Sequence, residues 1–279
     1  MRNLLVVWMA CLIISCGSPN EEKKEVQSVL FLGEGENQPL IVGLGGSEGG
    51  NAWATDIWKP TRDKFIASGY AFLAIGYFGA EGTPGQLDRI SLDVIHTAIM
   101  EAVKNSKVAD EGIAIIGGSK GAEAALLLGS YFPDITCVVS IVGSHAAFPA
   151  LTFGASSSAW TINDKEVPYV PATWSSAPAL LKRDLRRAFE IMMEDSVAVN
   201  KALIKVENIR GPVLCVSASH DEMWPSAEMS AEVMKRLDEK SFPYVHEHII
   251  AEGGHTESLD HFNDILAFLV KHYPAKPVN

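Results

Sequence analysis

The sequence predicts an α/β protein built on a mostly parallel sheet with helices on both faces. Three observations support this prediction. Short runs that are apolar throughout recur along the chain, helical patterns alternate with them, and a serine between glycines lies where one run meets a helix. Strands that are apolar throughout are typical of sheets covered on both faces, and strands that alternate with helices favour parallel order.

The elements are predicted from the spacing of apolar residues. The strand-like runs are residues 29–33, 40–44, 70–77, 112–116, 135–142, 213–217 and 246–250. The helical patterns are residues 54–67, 87–103, 122–128, 229–237 and 262–270. Sites in such sheets lie beyond the carboxyl ends of the strands. The loops at 43–50 and those that begin at 217 and 251 are therefore expected to meet the serine turn at one edge.

Residues 117–121 read G-G-S-K-G and lie between a predicted strand and a predicted helix. Glycines permit a turn sharp enough to lift the serine hydroxyl clear of the sheet, and the helix N-terminus favours developing negative charge. Ser119 is therefore the candidate covalent nucleophile. Residues 45–49 match the same pattern around Ser47, but Gly49, Gly50 and Asn51 come after Ser47 instead of a helix.

A serine nucleophile needs a base and an acid that orients the base. Asp221 follows the strand at 213–217, and His255 follows the strand at 246–250. The order serine, aspartate, histidine is that of α/β-hydrolases, so we predict that fold. Glu222 is an alternative acid and His220 an alternative base. The remaining histidines are interpreted as residues without chemistry: His96, His145, His261 and His272.

An oxyanion hole requires two backbone donors. We expect one to be the N–H of Lys120 and the other to be the N–H of Ser47, with Gly46 as the second choice. The Lys120 side chain is expected to face solvent. Glu123 is expected only to complement the helix dipole.

The N-terminus predicts a signal peptide over residues 1–15, because Arg2 precedes an apolar stretch at 4–14. This stretch is shorter than the about 20 residues that span a bilayer. The letters L-I-I-S-C at 12–16 resemble a bacterial lipobox, which would make Cys16 a lipid-attachment site. Residues 16–27 are then the lipidated cysteine and a flexible tether. The predicted location is the bacterial cell envelope, lipid-anchored and facing the periplasm or the exterior.

Residues 28–279 are predicted to form one domain and to act as a monomer. The chain has 279 residues and a net charge of −11 without a basic patch, which argues against nucleic acid as a partner. Cys137 and Cys215 are interpreted as buried hydrophobic residues, with a disulfide as the alternative. No cysteine and histidine cluster has zinc spacing, and His246 and His248 alternate along a predicted strand. No metal or other cofactor is expected.

An insertion at about 145–208 separates two predicted strands and is interpreted as a lid over the site. Its aromatic residues Phe148, Trp160 and Trp174, together with Trp224 after the acid loop, are candidates for an apolar acyl pocket. The open alternative is that these side chains pack the underside of the lid itself.

Five segments together resemble one family: P-L-I-V-G-L-G-G-S-E-G-G at 39–50, A-I-G-Y-F-G at 74–79, G-S-K-G-A-E at 118–123, D-E-M-W-P-S at 221–226 and G-G-H at 253–255. The family is the C-terminal catalytic domain of acyl-CoA thioesterases and bile acid-CoA:amino acid N-acyltransferases. The resemblance runs from about residue 28 onward and implies Ser119 as nucleophile, Asp221 as acid and His255 as base. Two features depart from it. We expect no counterpart of the N-terminal β-sandwich that the intracellular members carry, and acyl-transferring members favour cysteine at the position of Ser119.

The sequence therefore predicts a serine hydrolase that cleaves an acyl thioester or a carboxylic ester. In this mechanism His255 deprotonates Ser119, the alkoxide attacks the acyl group, and water releases the acyl-enzyme. Two alternatives stay open. One is acyl transfer to an amine or alcohol by the same residues, and the other is a binding lipoprotein without catalysis.

Overall fold

The strands of the protein form one large and one small sheet. The computed structural model describes residues 26–275. The strands in this range are β1 (Gln27–Phe31), β2 (Gln38–Leu44), β3 (Ala71–Gly76), β4 (Ile90–Ser91), β5 (Val108–Gly118), β6 (Ile135–Ile141), β7 (Trp160–Ile162), β8 (Lys165–Glu166), β9 (Val213–Ala218) and β10 (His246–Ala251). The predicted signal peptide and Cys16 lie outside the described residues, so the anchor and the cell location stay predictions.

The large sheet has seven strands in the order β1-β3-β2-β5-β6-β9-β10. Only β1 runs antiparallel to its neighbour β3, and the other neighbouring pairs are parallel. The paired ends Leu44↔Gly117 and Ala218↔Ala251 place the carboxyl ends of four strands along one edge. The predicted mostly parallel sheet is confirmed, and its loops meet at this edge.

The helices in the described range are α1 (Lys59–Ala67), α2 (Leu92–Val103), α3 (Lys120–Tyr131), α4 (Ala177–Leu181), α5 (Leu185–Met193), α6 (Ser196–Ala202), α7 (Ser226–Glu239) and α8 (Phe262–His272). Two begin later than predicted. A separate 3₁₀ turn at Ala52–Ala54 precedes α1, which has Pro60 in its first turn. The hydroxyl of Ser91 accepts the N–H of Val94 and caps α2.

Helices cover both faces of the large sheet. Along β3, Leu73 and Ile75 pack into a cluster with α2, α3 and α7, whereas Phe72 packs into the opposite cluster with α1 and α8. Both faces are therefore buried, which explains why the central strands are apolar throughout.

The segment between β6 and β9 holds β7, β8 and α4 to α6, none of which was predicted. Strand β7 of this segment pairs with β4 through Ile90↔Trp160. Because β4 directly precedes α2, this pairing joins the segment to the start of α2. Phe148, Ala188, Met192 and Trp224 form a third apolar cluster beneath it. The insertion thus has a small core of its own.

The two cysteines and His248, for which the sequence predicted structural roles, lie in ordinary structural environments. Cys137 and Cys215 are free and buried, and burial raises the pKa of each thiol to about 12. The His248 ring contacts the Ser217 hydroxyl at 2.7 Å. Within residues 26–275 no cluster of side chains could hold a metal ion, and no helix in this range is long and apolar enough to cross a membrane.

Candidate active site

Ser119 lies at the corner between β5 and α3, in a backbone conformation that side chains rarely adopt. Its φ is 52° and its ψ −117°, which is a strained geometry for a residue other than glycine. A Cβ on Gly117 would lie 2.0 Å from the oxygen of Gly121, and one on Gly121 would lie 2.2 Å from the oxygen of Gly45. The glycines on both sides of Ser119 are therefore required by close backbone contact, and the turn is a nucleophile elbow in form.

His255 and Asp221 meet in the loops that follow β10 and β9. The Nδ1 atom of His255 lies 2.8 Å from both Oδ1 and Oδ2 of Asp221. The carboxylate is fully buried and also accepts the backbone N–H groups of Met223 and Trp224. This arrangement fixes the orientation of the imidazole and leaves its Nε2 free of Asp221.

The charge state of Asp221 follows from two opposing effects. Burial by itself raises the pKa of the carboxyl group, but hydrogen bonds from His255 and Ser226 outweigh it. The pKa of Asp221 therefore lies below its ordinary value. The group is a carboxylate at neutral pH and can stabilise an imidazolium.

The alternative acid Glu222 and the alternative base His220 have other hydrogen-bond partners. Glu222 accepts the backbone N–H of His255 at 3.0 Å instead of contacting the ring. His220 is exposed, and its Nδ1 faces the Ser219 hydroxyl at 2.8 Å. Of these residues, only Asp221 contacts the His255 ring.

Ser119 and His255 line one cavity of about 500 Å³ at the carboxyl edge of the sheet. The loop after β2, the end of β6 and the start of α8 complete its wall. Within residues 26–275, the structure shows no direct hydrogen bond between the Ser119 hydroxyl and the His255 ring. The shared cavity brings the predicted nucleophile and base to one site.

The four aromatic residues predicted to form the acyl pocket do not line this cavity. Trp160 and Phe148 are fully buried, Trp224 is buried with its Nε1 donating to the carbonyl of Val142, and Trp174 is 95% exposed. Phe148 packs against Phe189, which in turn packs against Trp224. The pocket prediction is corrected, because Phe148 and Trp224 pack in the apolar cluster beneath the insertion, whereas Trp160 packs in the cluster that includes α2 and α3.

The aromatic wall comes from the segment after the glycine-rich loop and from the start of α8. Trp53 lies within the 3₁₀ turn after β2, Trp58 directly precedes α1, and Phe262 begins α8. The ring centres of Trp53 and Trp58 are 4.7 Å apart, and those of Trp58 and Phe262 are 5.4 Å apart. Two tryptophans directly after the glycine-rich loop were the available signal for this wall.

The structure changes the order of preference between Ser47 and Gly46, the two candidates for the second oxyanion donor. Gly46 lines the cavity, and a Cβ at this position would lie 3.2 Å from the Cβ of Ser119. Ser47 is exposed and does not line the cavity. The N–H of Gly46 donates to Oε1 of Glu48 at 2.9 Å. Of these two residues only Gly46 lines the cavity, and its N–H is paired with Glu48. Lys120, the other predicted donor, is the first residue of α3.

Lys120 is 3% exposed, so the expectation that its side chain faces solvent is wrong. Its Nζ lies 2.9 Å and 3.0 Å from the two carboxylate oxygens of Glu123. Burial lowers the pKa of Lys120, and the charge of Glu123 opposes that shift. The first turn of α3 lies beneath the insertion, which is why the charge is buried.

Glu123 does more than complement the helix dipole, contrary to prediction. Its fully buried carboxylate also accepts from the Ser144 hydroxyl at 3.1 Å, the Phe148 N–H at 3.2 Å and the Trp160 Nε1 at 2.6 Å. These three donors belong to the chain after β6. The Lys120–Glu123 pair therefore ties the insertion to the helix that carries the nucleophile elbow.

The family described as BAAT / Acyl-CoA thioester hydrolase C terminal matches residues 90–262. A peroxisomal succinyl-coenzyme A thioesterase of Mus musculus is 27% identical over 213 residues, which cover 72% of this chain and 45% of that protein. An acyl-coenzyme A amino acid N-acyltransferase 1 of Mus musculus is 24% identical over 220 residues, or 77% of this chain and 48% of that protein. The chain thus spans about half the length of these relatives.

Solved structures show the same fold at low sequence identity. A puromycin-hydrolyzing peptidase of Mycobacterium tuberculosis has a TM-score of 0.60 at 18% identity, covering 91% of this chain and 39% of that chain. An esterase of Pyrococcus furiosus has a TM-score of 0.58 at 15% identity, covering 97% and 96%. The predicted α/β-hydrolase fold is confirmed. Because the family match covers more than half of its length, the chain belongs to the BAAT / acyl-CoA thioester hydrolase C-terminal family.

Proposed function

We propose that this protein is a serine hydrolase that cleaves acyl ester or thioester bonds. The observation that carries the proposal is the contact of His255 with Asp221, at 2.8 Å, together with the cavity that His255 lines with Ser119. The strained elbow at Ser119 and the family membership support it. The names of the relatives, a thioesterase and an N-acyltransferase, agree with acyl chemistry.

In the proposed mechanism, His255 Nε2 takes the proton of the Ser119 hydroxyl as the oxygen attacks the acyl carbon. Asp221 holds Nδ1–H and stabilises the imidazolium. The oxyanion is stabilised by the backbone N–H of Lys120 and by that of Gly46, which Glu48 must release. His255 then protonates the leaving group, and a water molecule activated by His255 frees the acid from Ser119.

Acyl transfer is the second candidate function, and the N-acyltransferase among the relatives favours it. Both reactions share the acyl-enzyme and differ in the acceptor that attacks it. Hydrolysis is our first choice, because Ser119 stands where, in the resemblance described above, acyl-transferring members favour cysteine. Adding glycine or taurine to the reaction distinguishes the two, since transfer would yield an amide product.

The test is labelling of the purified protein with a fluorophosphonate probe, beside the Ser119→Ala variant. We expect labelling and turnover of p-nitrophenyl esters in the wild type and loss of both in Ser119→Ala, because the probe reacts with an activated serine. Ser47→Ala is the matched control, since Ser47 lies in the second G-x-S-x-G pattern, and it should keep the label. Labelling that persists in Ser119→Ala would refute the proposed nucleophile.

A further inference from the structure

The cavity at Ser119 has an apolar end on the α1 and α8 side of the large sheet. Among the described residues that line the cavity, none lies between Val142 and His255, so the insertion contributes nothing to this lining. Four buried residues of the lining belong to the apolar cluster that packs against α1 and α8: Trp53, Ile141, Val142 and Phe262. An acyl group on Ser119 would therefore contact this side of the sheet.

Trp58 and Leu259 are the half-buried walls of the apolar end. Both residues line the cavity and pack against the same cluster as the four buried residues. The ring centre of Trp58 lies 5.4 Å from that of Phe262, and the two rings meet edge to face. Ile57, which also lines the cavity, is 85% exposed. The apolar end thus begins at the nucleophile and reaches solvent beside Trp58.

Local contacts fix the floor and one wall of the apolar end. A Cβ on Gly43 would lie 2.7 Å from Cγ of Trp53, so glycine at this position lets Trp53 lie against β2. Leu259 directly follows Ser258, whose hydroxyl donates to the carbonyl of His255 at 2.8 Å. The turn that carries Leu259 is therefore tied to the candidate base, and the wall keeps its position relative to the reacting residues.

Charged groups are sparse in the cavity wall. Within the part of the chain that the structure describes, no lysine or arginine lines the cavity, and Glu48 and His255 are its ionisable residues. A carboxylate at the far end of an acyl group would leave water here without a cationic partner, which costs free energy. A hydrocarbon chain or ring gains free energy from the same transfer. The wall therefore favours an uncharged acyl group.

We propose that the apolar end, bounded by Trp53, Trp58, Leu259 and Phe262, is the acyl site, and that it selects aliphatic or aromatic acyl groups over those that end in a carboxylate. Trp58 and Leu259 are the specificity-determining residues. The inference rests on the proposed function and names the acyl group of its substrate, with coenzyme A as one leaving group. The bonds formed and broken are those of the proposed mechanism.

The first experiment compares hexanoyl-coenzyme A with adipoyl-coenzyme A. The two thioesters have the same leaving group and the same number of acyl carbons, but only the second has a terminal carboxylate. We expect kcat/KM to be at least about tenfold higher for hexanoyl-coenzyme A, because adipoyl brings an unpaired charge to the apolar wall. From acetyl- to hexanoyl-coenzyme A, kcat/KM should rise about three- to fourfold for each added methylene.

The second experiment places a cation in the acyl site. Leu259→Lys should raise the ratio of kcat/KM for adipoyl-coenzyme A over hexanoyl-coenzyme A at least about tenfold, because the ammonium group can pair with the terminal carboxylate. The lysine stem can keep the apolar contact of the leucine. Leu259→Met is the matched uncharged variant and should change the ratio less than about twofold. Because the ratio is taken within one variant, a general change in activity cancels.

The third experiment removes the other wall. Trp58→Ala should lower the ratio of kcat/KM for hexanoyl-coenzyme A over acetyl-coenzyme A at least about fivefold, because the longer chain loses apolar contact. Trp58→Phe should restore most of the ratio. The control is Trp174→Ala, since Trp174 is 95% exposed on the insertion and does not line the cavity. This variant should keep the wild-type ratio.

The outcomes separate the acyl site from the proposed function. Equal kcat/KM for hexanoyl- and adipoyl-coenzyme A in the wild type overturns the acyl site while hydrolysis stands. An unchanged ratio in Leu259→Lys or in Trp58→Ala does the same. Failure of the wild type to cleave any of these thioesters, and p-nitrophenyl hexanoate as well, overturns the proposed function, and the acyl site falls with it.

Discussion

Two fully buried carboxylates near the carboxyl edge of the sheet, Asp221 and Glu123, show how similar groups serve different ends. Asp221 contacts a histidine whose ring reaches a cavity. Glu123 contacts Lys120, whose ammonium group is enclosed by the carboxylate and the carbonyl of Phe148. Both carboxylates accept several hydrogen bonds from neighbouring donor groups. The difference lies in the partner, because only the imidazole has a second nitrogen that is free to act on a substrate.

We propose that the Asp221–His255 pair serves catalysis and that the Lys120–Glu123 pair serves the architecture of the fold. Removing the charge of Asp221 should affect turnover more than folding. Removing the charge of Glu123 should affect folding first, because it leaves Lys120 buried without a counter-ion. Three measurements test that division.

The largest expected effect is on turnover. Asp221→Asn should lower kcat/KM by roughly 10⁴, because an asparagine cannot hold His255 in the required tautomer. Hydrolysis of a p-nitrophenyl ester measures the loss. Glu222→Gln is the matched control, since its side chain contacts only the backbone N–H of His255. A loss below about tenfold in Asp221→Asn would move the acid role to another residue.

The second effect is on stability. Glu123→Gln should lower the free energy of unfolding by about 3 kcal/mol, because it leaves the buried Lys120 ammonium unpaired. Urea denaturation measures the change, and adding Lys120→Met should recover much of it. The control is Glu101→Gln, which breaks an exposed pair with Lys104 and should cost less than about 0.5 kcal/mol. Equal losses in the two glutamine variants would refute the structural role of Glu123.

The smallest effect is on the acid dependence of stability. The folded-state pKa of Asp221 lies below its ordinary value, so its contribution is present above the unfolded pKa of about 4. The contribution is lost as the pH falls through the folded pKa. Asp221→Asn should therefore flatten the fall in unfolding free energy below about pH 4. Denaturation curves across this range measure it, and parallel slopes in the two proteins would contradict the assigned shift.

The site was predicted as far as local patterns allow. Ser119, Asp221 and His255 each follow a predicted strand. Gly117 and Gly121 are visible in the sequence, and both lie at close backbone contacts in the structure. The wall of the cavity had no comparable pattern. Trp53 and Trp160 look alike in sequence, yet one lines the cavity and the other donates to Glu123 in the interior.

The sequence by itself determined the parallel α/β architecture, the elbow and the order of the three candidate catalytic residues. These features depend on apolar periodicity and on glycine at close approaches, which act over a few residues. Only the tertiary structure decided which aromatic residues face the cavity, that Gly46 and not Ser47 lies beside the nucleophile, and that Lys120 is buried. Each of these depends on which distant segment covers a side chain, and burial sets the charge environment and the partners of that side chain.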